Sequence, residues 1–83
     1  MVRVKICGIT NAADALAAID AGADLLGFNF YARSPRHIDE AEAAKIRGQL
    51  PKKIEAVGIF VNVPAADVTS VCNSLKLDAA QLQ

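Results

Sequence analysis

Apolar and polar positions change period several times along the chain. Val4-Lys5-Ile6-Cys7-Gly8-Ile9 alternates as a short strand. Thr10 and Asn11 follow as capping residues, and Asp14, three positions after Asn11, stands where an acid favours a helix start. Ala12 to Ala21 then reads as a helix with Leu16 and Ile19 on an alanine-rich face, stopped by Gly22. Asp24 to Tyr31 is a second strand, followed by the loop Ala32 to Ile38. Asp39 caps a second helix, with Glu42 in capping-box spacing; the helix runs to about Leu50 and stops at Pro51. Glu55 to Val61 is a third strand. Asn62 and Pro64 open a third helix, on which Val68, Val71, Cys72 and Leu75 recur at i, i+3, i+4 and i+7. Ala79 to Gln83 begins a fourth strand.

This βαβαβαβ order has strand centres near residues 6, 28, 59 and 81, a spacing that fits right-handed crossover units and a parallel sheet. Parallel sheets want both faces covered, and three helices cover one. Alternation assigns Val4, Ile6 and Gly8 to the helix side of the first strand, leaving Lys5, Cys7 and Ile9 on the open side. In the second strand Leu26, Phe28 and Phe30 face the helices, and Leu25, Gly27, Asn29 and Tyr31 do not. Small and polar side chains on the open side suit the interior of a closed barrel near its mouth. The fold class expected is therefore α/β: residues 1–83 as one partial domain, the first half of a (β/α)8 barrel, since a complete barrel needs at least about 200 residues.

Composition narrows the functional classes. The 83 residues are 53% hydrophobic with nine basic and nine acidic side chains, which excludes disorder and argues against an electrostatic nucleic-acid or anionic-membrane binder. No apolar run approaches the roughly 18 residues of a membrane span, and the residues from Met1 to Lys5 lack the long apolar stretch of an export signal. Cys7 and Cys72 form neither a disulfide framework nor a zinc spacing, so free thiols in the cytoplasm are expected. His37 is the single histidine, which leaves no histidine-rich metal site and no ready serine–histidine–acid triad.

The candidate chemistry gathers at the C-terminal strand ends, the rim where β/α-barrels keep their active sites. Cys7 ends the first strand, with Lys5 two residues back on the same face and placed to activate it as a base or nucleophile. On position alone a packed core thiol is the commoner reading, because free cysteine is among the most buried residue types. Cys72, on an apolar helix face, reads as core. Arg36 lies in the loop after the second strand, where a guanidinium can clamp a carboxylate or phosphate; a solvated loop arginine is the plain alternative. Arg33 and His37 are weaker candidates for that role. Gln81 and Gln83 on the fourth strand can hydrogen-bond a ligand or be merely polar. Capping accounts for Asp39, Glu40 and Glu42, and Asp24 and Asp78 precede their strands and so fall at the opposite rim. The glycines form neither a dinucleotide fingerprint nor a phosphate loop.

Taken together, the string Val4-Lys5-Ile6-Cys7-Gly8-Ile9-Thr10-Asn11, the stretch from Gly22-Ala23-Asp24 to Gly27-Phe28, Tyr31 with Ser34-Pro35-Arg36 and Ile38, Val57-Gly58-Ile59-Phe60-Val61-Asn62, and Ala80-Gln81-Leu82 resemble phosphoribosylanthranilate isomerase in order and along the whole chain. The resemblance implies a (β/α)8 barrel of tryptophan biosynthesis that catalyses an Amadori rearrangement of N-(5-phosphoribosyl)anthranilate without metal or cofactor. It implies Cys7 as general base and Arg36 as holder of the anthranilate carboxylate; Gln81, from its place on the fourth strand, is expected as a further substrate-binding residue. The family's general-acid aspartate and phosphate site lie on later strands and have no counterpart here, and Gln83 stands where the family usually has histidine. The expectation is an N-terminal portion that is inactive alone. Its partners would be a phosphosugar substrate and either the rest of the barrel or a second copy of itself. The alternative is a non-catalytic half-barrel that self-associates.

Overall fold

The computed structural model describes residues 3–83; Met1 and Val2, where the segment read for an export signal begins, lie outside the described residues. Seven elements follow in the expected order. They are β1 (Lys5–Cys7), α1 (Ala12–Asp20), β2 (Leu25–Asn29), α2 (Glu40–Gly48), β3 (Glu55–Phe60), α3 (Ala65–Leu75) and β4 (Ala79–Leu82). The strands form one parallel sheet in sequence order, β1-β2-β3-β4. Each strand is shorter than its apolar run, because residues such as Gly8, Phe30 and Val61 already belong to the turns that lead into the helices.

Local chemistry accounts for the helix ends. The Asn11 side chain accepts from the Asp14 N–H (2.8 Å), and Asp39 accepts from the Glu42 N–H (2.8 Å), so both helices begin on the expected caps. α1 ends at Gly22, whose φ of +102° is open to glycine, and the Ala23 N–H reaches back to the Ala18 carbonyl (3.0 Å). α3 has no side-chain cap. It starts after Pro64, with Asn62 in the left-handed region, a conformation that asparagine tolerates.

The dry core lies between the helices and one sheet face. Leu26, Phe28 and Ala56 from the sheet meet Ala15, Ala43, Ile46 and Leu75 from the helices. Full burial of a side chain such as Leu26 or Phe28 contributes about 1.5–3 kcal/mol. The alanines matter because they let the helix axes approach the sheet closely.

Three expectations need correcting and one needs refining. Ile9 is not on the open face: Gly8 turns the chain with φ +81°, breaking the alternation, and Ile9 is 3% exposed in the helix-side core. Leu16 does not pack inward. α1 presents Ala12, Ala15, Ala18 and Ile19 to the core and leaves Leu16 48% exposed. Ile6 is on the helix side as expected, but β1 is an edge strand and Ile6 stays 38% exposed there. Cys72 is only half-buried, since Val68 and Leu75 occupy the buried positions of α3.

One device closes the N-terminal rim twice. The Asp24 N–H donates to the Val4 carbonyl (2.8 Å) while its carboxylate accepts from the Val4 N–H (2.8 Å). Asp78 repeats this on Ala56, with both bonds again 2.8 Å. Arg47 of α2 reinforces the second copy. It donates to Asp78 Oδ2 (3.2 Å) and to the carbonyls of Ile54 (3.3 Å) and Lys76 (3.2 Å). Both aspartates thus belong to the stability rim, as their place before the strands implied.

The open face is concave. Lys5 Nζ on β1 donates to Gln81 Oε1 on β4 at 2.6 Å. The register offsets these positions by three strands and four residues. On a flat sheet they would lie about 19 Å apart, from inter-strand steps of about 4.8 Å and a rise of about 3.3 Å per residue, further than the two side chains reach. The sheet therefore curls toward its uncovered side.

Asp78→Ala should lose about 1–3 kcal/mol, because it leaves the buried Ala56 N–H without its acceptor and frees Arg47. Asp24→Ala should lose less, since Val4 is exposed and water can replace the carboxylate. Urea titration of the two variants checks the ranking, and equal or reversed losses would contradict it.

Candidate functional site

The C-terminal end of β1 carries Cys7, which is half-buried and points to the concave face. Its neighbour across the ladder is Gly27, and a Cβ there would come within 3.1 Å of Cys7 Sγ and 3.3 Å of Cys7 Cα. The same position lies 3.4 Å from Ile59 Cδ1. Gly27 therefore makes the room in which the thiol sits beside Ile59. The chain continues into Gly8, whose N–H donates to the Gly27 carbonyl (3.1 Å), as does the N–H of Ile9 (3.2 Å).

Arg36 arrives from the loop between β2 and α2. Its side chain lies across Gly8, so closely that a Cβ on Gly8 would stand 2.3 Å from Arg36 Cδ and 2.9 Å from Nη1. Nη1 is 3.5 Å from the Cys7 carbonyl oxygen. The guanidinium is exposed, so its remaining donors are free to meet an anionic group. The loop is ordered by two successive turns: the Ser34 N–H donates to the Tyr31 carbonyl (3.0 Å) and the His37 N–H to the Ser34 carbonyl (3.1 Å).

The structure thus brings Cys7 and Arg36 together from positions far apart in sequence. Gln81 is on the same concave face but engages Lys5, which reaches across the sheet to it instead of turning to the Cys7 thiol. The activation of Cys7 by Lys5 expected from their spacing is not the contact found: the curl of the sheet puts the better acceptor in Lys5's path. Arg33 and His37 are exposed, and His37 contributes a backbone bridge to Asn29. A cavity of about 230 Å³ lies at the other rim, lined by Ile19, Gly22, Ala23, Asp24, Lys53 and Ile54, away from Cys7 and Arg36. Among the described residues no group of three or more His, Cys, Asp or Glu side chains is arranged to hold a metal ion.

Sequence reasoning missed the roles of Gly8 and Gly27. Their signal was present, since each is a glycine at or beside a strand end, where a missing Cβ often marks a close approach. What approaches could not be read without the fold.

A curled parallel sheet with all its helices on one side, bearing a thiol and a guanidinium at the C-terminal strand ends, defines the class as a β/α-barrel protein, represented by four of its strands. Comparison with known proteins sharpens this. The sequence profile of N-(5'-phosphoribosyl)anthranilate isomerases matches residues 4–83, and the chain belongs to that family. It is 54% identical over 82 residues to the N-(5'-phosphoribosyl)anthranilate isomerase of Geobacter sulfurreducens, a match covering 99% of this chain and 40% of that one. It superposes with a TM-score of 0.95 and 46% identity on the phosphoribosyl anthranilate isomerase of Thermotoga maritima, covering 99% of this chain and 40% of the other. The TM-score is again 0.95, at 46% identity, on a crystal structure of the isomerase in complex with reduced 1-(o-carboxyphenylamino)-1-deoxyribulose 5-phosphate, over 99% of this chain and 42% of that chain. The chain spans about two-fifths of the length of these relatives.

Gly8→Ala should cost about 1–2 kcal/mol for placing an alanine in the left-handed region, with a further loss from the collision with Arg36. Adding Arg36→Ala should recover the collision part and leave the backbone part. Denaturant titration of the single and double variants separates the two. A double variant no more stable than Gly8→Ala alone would deny the contact.

Proposed function

We propose that this chain carries the β1 base and the carboxylate clamp of a phosphoribosylanthranilate isomerase, acting in the Amadori rearrangement of N-(5'-phosphoribosyl)anthranilate in tryptophan biosynthesis. The observation that carries the reading is the seating of the Arg36 guanidinium on Gly8, against the carbonyl of Cys7. A base on a rigid strand end, with an anion clamp from the neighbouring loop seated beside it, suits a substrate that bears a carboxylate near the carbon to be deprotonated.

In this reading Arg36 takes the anthranilate carboxylate, and the ring-opened imine lies over the concave face. Cys7 Sγ removes the C2' proton, converting the iminium to an enolamine that tautomerises to the aminoketose. Gln81, held by Lys5, offers its amide to the sugar side of the ligand. The reaction moves protons only, with no net oxidation or reduction, so it calls for no redox cofactor. The acid that protonates the departing ring oxygen and the phosphate site belong to parts of the barrel beyond these four strands.

The same geometry supports a reading of the partner. Val4, Ile6 and Leu16 are exposed along the β1 flank, and Leu82 is 67% exposed along the β4 flank. Apolar side chains on both outer strands, together with an uncovered concave face, fit further β/α units of the same barrel, and a second copy of this chain is the competing occupant.

In the full-length isomerase Cys7→Ser should lower kcat by about 10²–10⁴-fold, the usual contribution of a positioned base, with substrate binding largely kept. Arg36→Ala should chiefly raise KM. Steady-state kinetics on phosphoribosylanthranilate distinguishes them, and near-normal turnover in Cys7→Ser removes it from the base role.

Residues 1–83 on their own should not turn the substrate over, and adding the remaining β/α units as a separate polypeptide should restore turnover. Turnover by the 83-residue polypeptide running as a dimer on a sizing column would instead favour the second copy.

A further inference from the structure

The loop that delivers Arg36 hangs from one strand-end residue. Asn29 closes β2 and is half-buried on the concave side. Its Oδ1 accepts from the Tyr31 N–H (2.9 Å), its Nδ2 donates to Ser34 Oγ (3.3 Å), and its carbonyl accepts from the Ile38 N–H (2.9 Å). The first, middle and last points of the loop are thus tied to a single side chain and its own backbone. Ser34 Oγ passes the middle tie on by accepting from the Arg36 N–H (3.1 Å).

We infer that Asn29 and Ser34 are positioning residues for Arg36, fixing its guanidinium over Gly8 before the ligand arrives; this rests on the reading of Arg36 as the carboxylate clamp. The physical argument is entropic. Arg36 is exposed and its closest polar partner is a carbonyl at 3.5 Å, too long a contact to hold a flexible side chain by itself. An anion clamp borne on a loose loop would be ordered only on binding, at a cost in affinity. Asn29 and Ser34 order the backbone at Arg36 beforehand, and the glycine at position 8 provides the seat. The chemistry demanded of position 29 is specific: one end of the side chain must accept from Tyr31 while the other donates to Ser34. An amide does both, whereas a carboxylate cannot donate and an aliphatic side chain does neither.

The test is steady-state kinetics with phosphoribosylanthranilate on the full-length isomerase, comparing Ser34→Ala, Ser34→Thr, Asn29→Leu, Arg36→Ala and the Ser34→Ala/Arg36→Ala pair. Ser34→Ala and Asn29→Leu should each raise KM about tenfold, equivalent to about 1.4 kcal/mol, with kcat largely kept. Ser34→Thr retains the hydroxyl and should keep the normal KM. In the Arg36→Ala background Ser34→Ala should add nothing, because there is no guanidinium left to position. Normal KM in Ser34→Ala beside a raised KM in Arg36→Ala would overturn the inference while sparing the clamp. A further rise in the double variant would also overturn it, by showing that Ser34 acts independently of Arg36. An unchanged KM in Arg36→Ala would remove the clamp reading itself, and this inference with it. Should Asn29→Leu fail to fold, the Ser34 pair of variants decides the matter.

Discussion

The structure depends on one constraint: neighbouring parallel strands cannot be joined by a tight turn. Each junction needs a crossover, and a crossover of fixed hand from strand to adjacent strand places every helix on the same side. From this follow a dry face built of Leu26, Phe28 and Ala56 under an alanine-rich helix layer, and a bare, concave face with Cys7, Gly27, Ile59 and Gln81. The same constraint sends all strands in one direction. Their beginnings collect at one rim and their ends at the other, so the two rims are free to serve different purposes.

The molecule uses that freedom. Asp24, Asp78 and Arg47 concentrate their hydrogen bonds at the rim where strands begin, joining α2 and α3 to the sheet. The rim where strands end relies on missing side chains. Gly27 leaves space for the Cys7 thiol, and Gly8 for the Arg36 side chain, so both side chains lie close against backbone at the same strand end. Side chains placed at a strand end and packed against backbone are held more accurately than side chains on a free loop. The family match runs along residues 4–83, and the contacts between β1, β2 and the β2–α2 loop lie within that stretch.

Element order, the caps at Asn11 and Asp39, the stop at Gly22, the parallel sheet and the one-sided helix layer were all legible in the residue pattern. The elements and their caps follow from periods and cap chemistry that act within a few residues, and the parallel, one-sided arrangement follows from the hand of the crossovers. The sequence also singled out Cys7 and Arg36, although only the combined motif, not either residue alone, lifted them above the plain readings of core thiol and solvated arginine. Tertiary structure decided the rest, wherever distant segments meet. Alternation alone put Ile9 on the open face, and the left-handed turn at Gly8 moved it into the core. Spacing alone paired Lys5 with Cys7, but the curl of the sheet carried it to Gln81. Helix period alone could not tell whether Leu16 or Ala15 faces inward, because that depends on where α1 lies over the sheet edge. The seat of Arg36 on Gly8 joins residues from separate βα units, and no local rule of sequence encodes a contact whose distance is fixed only when the strands pair in register.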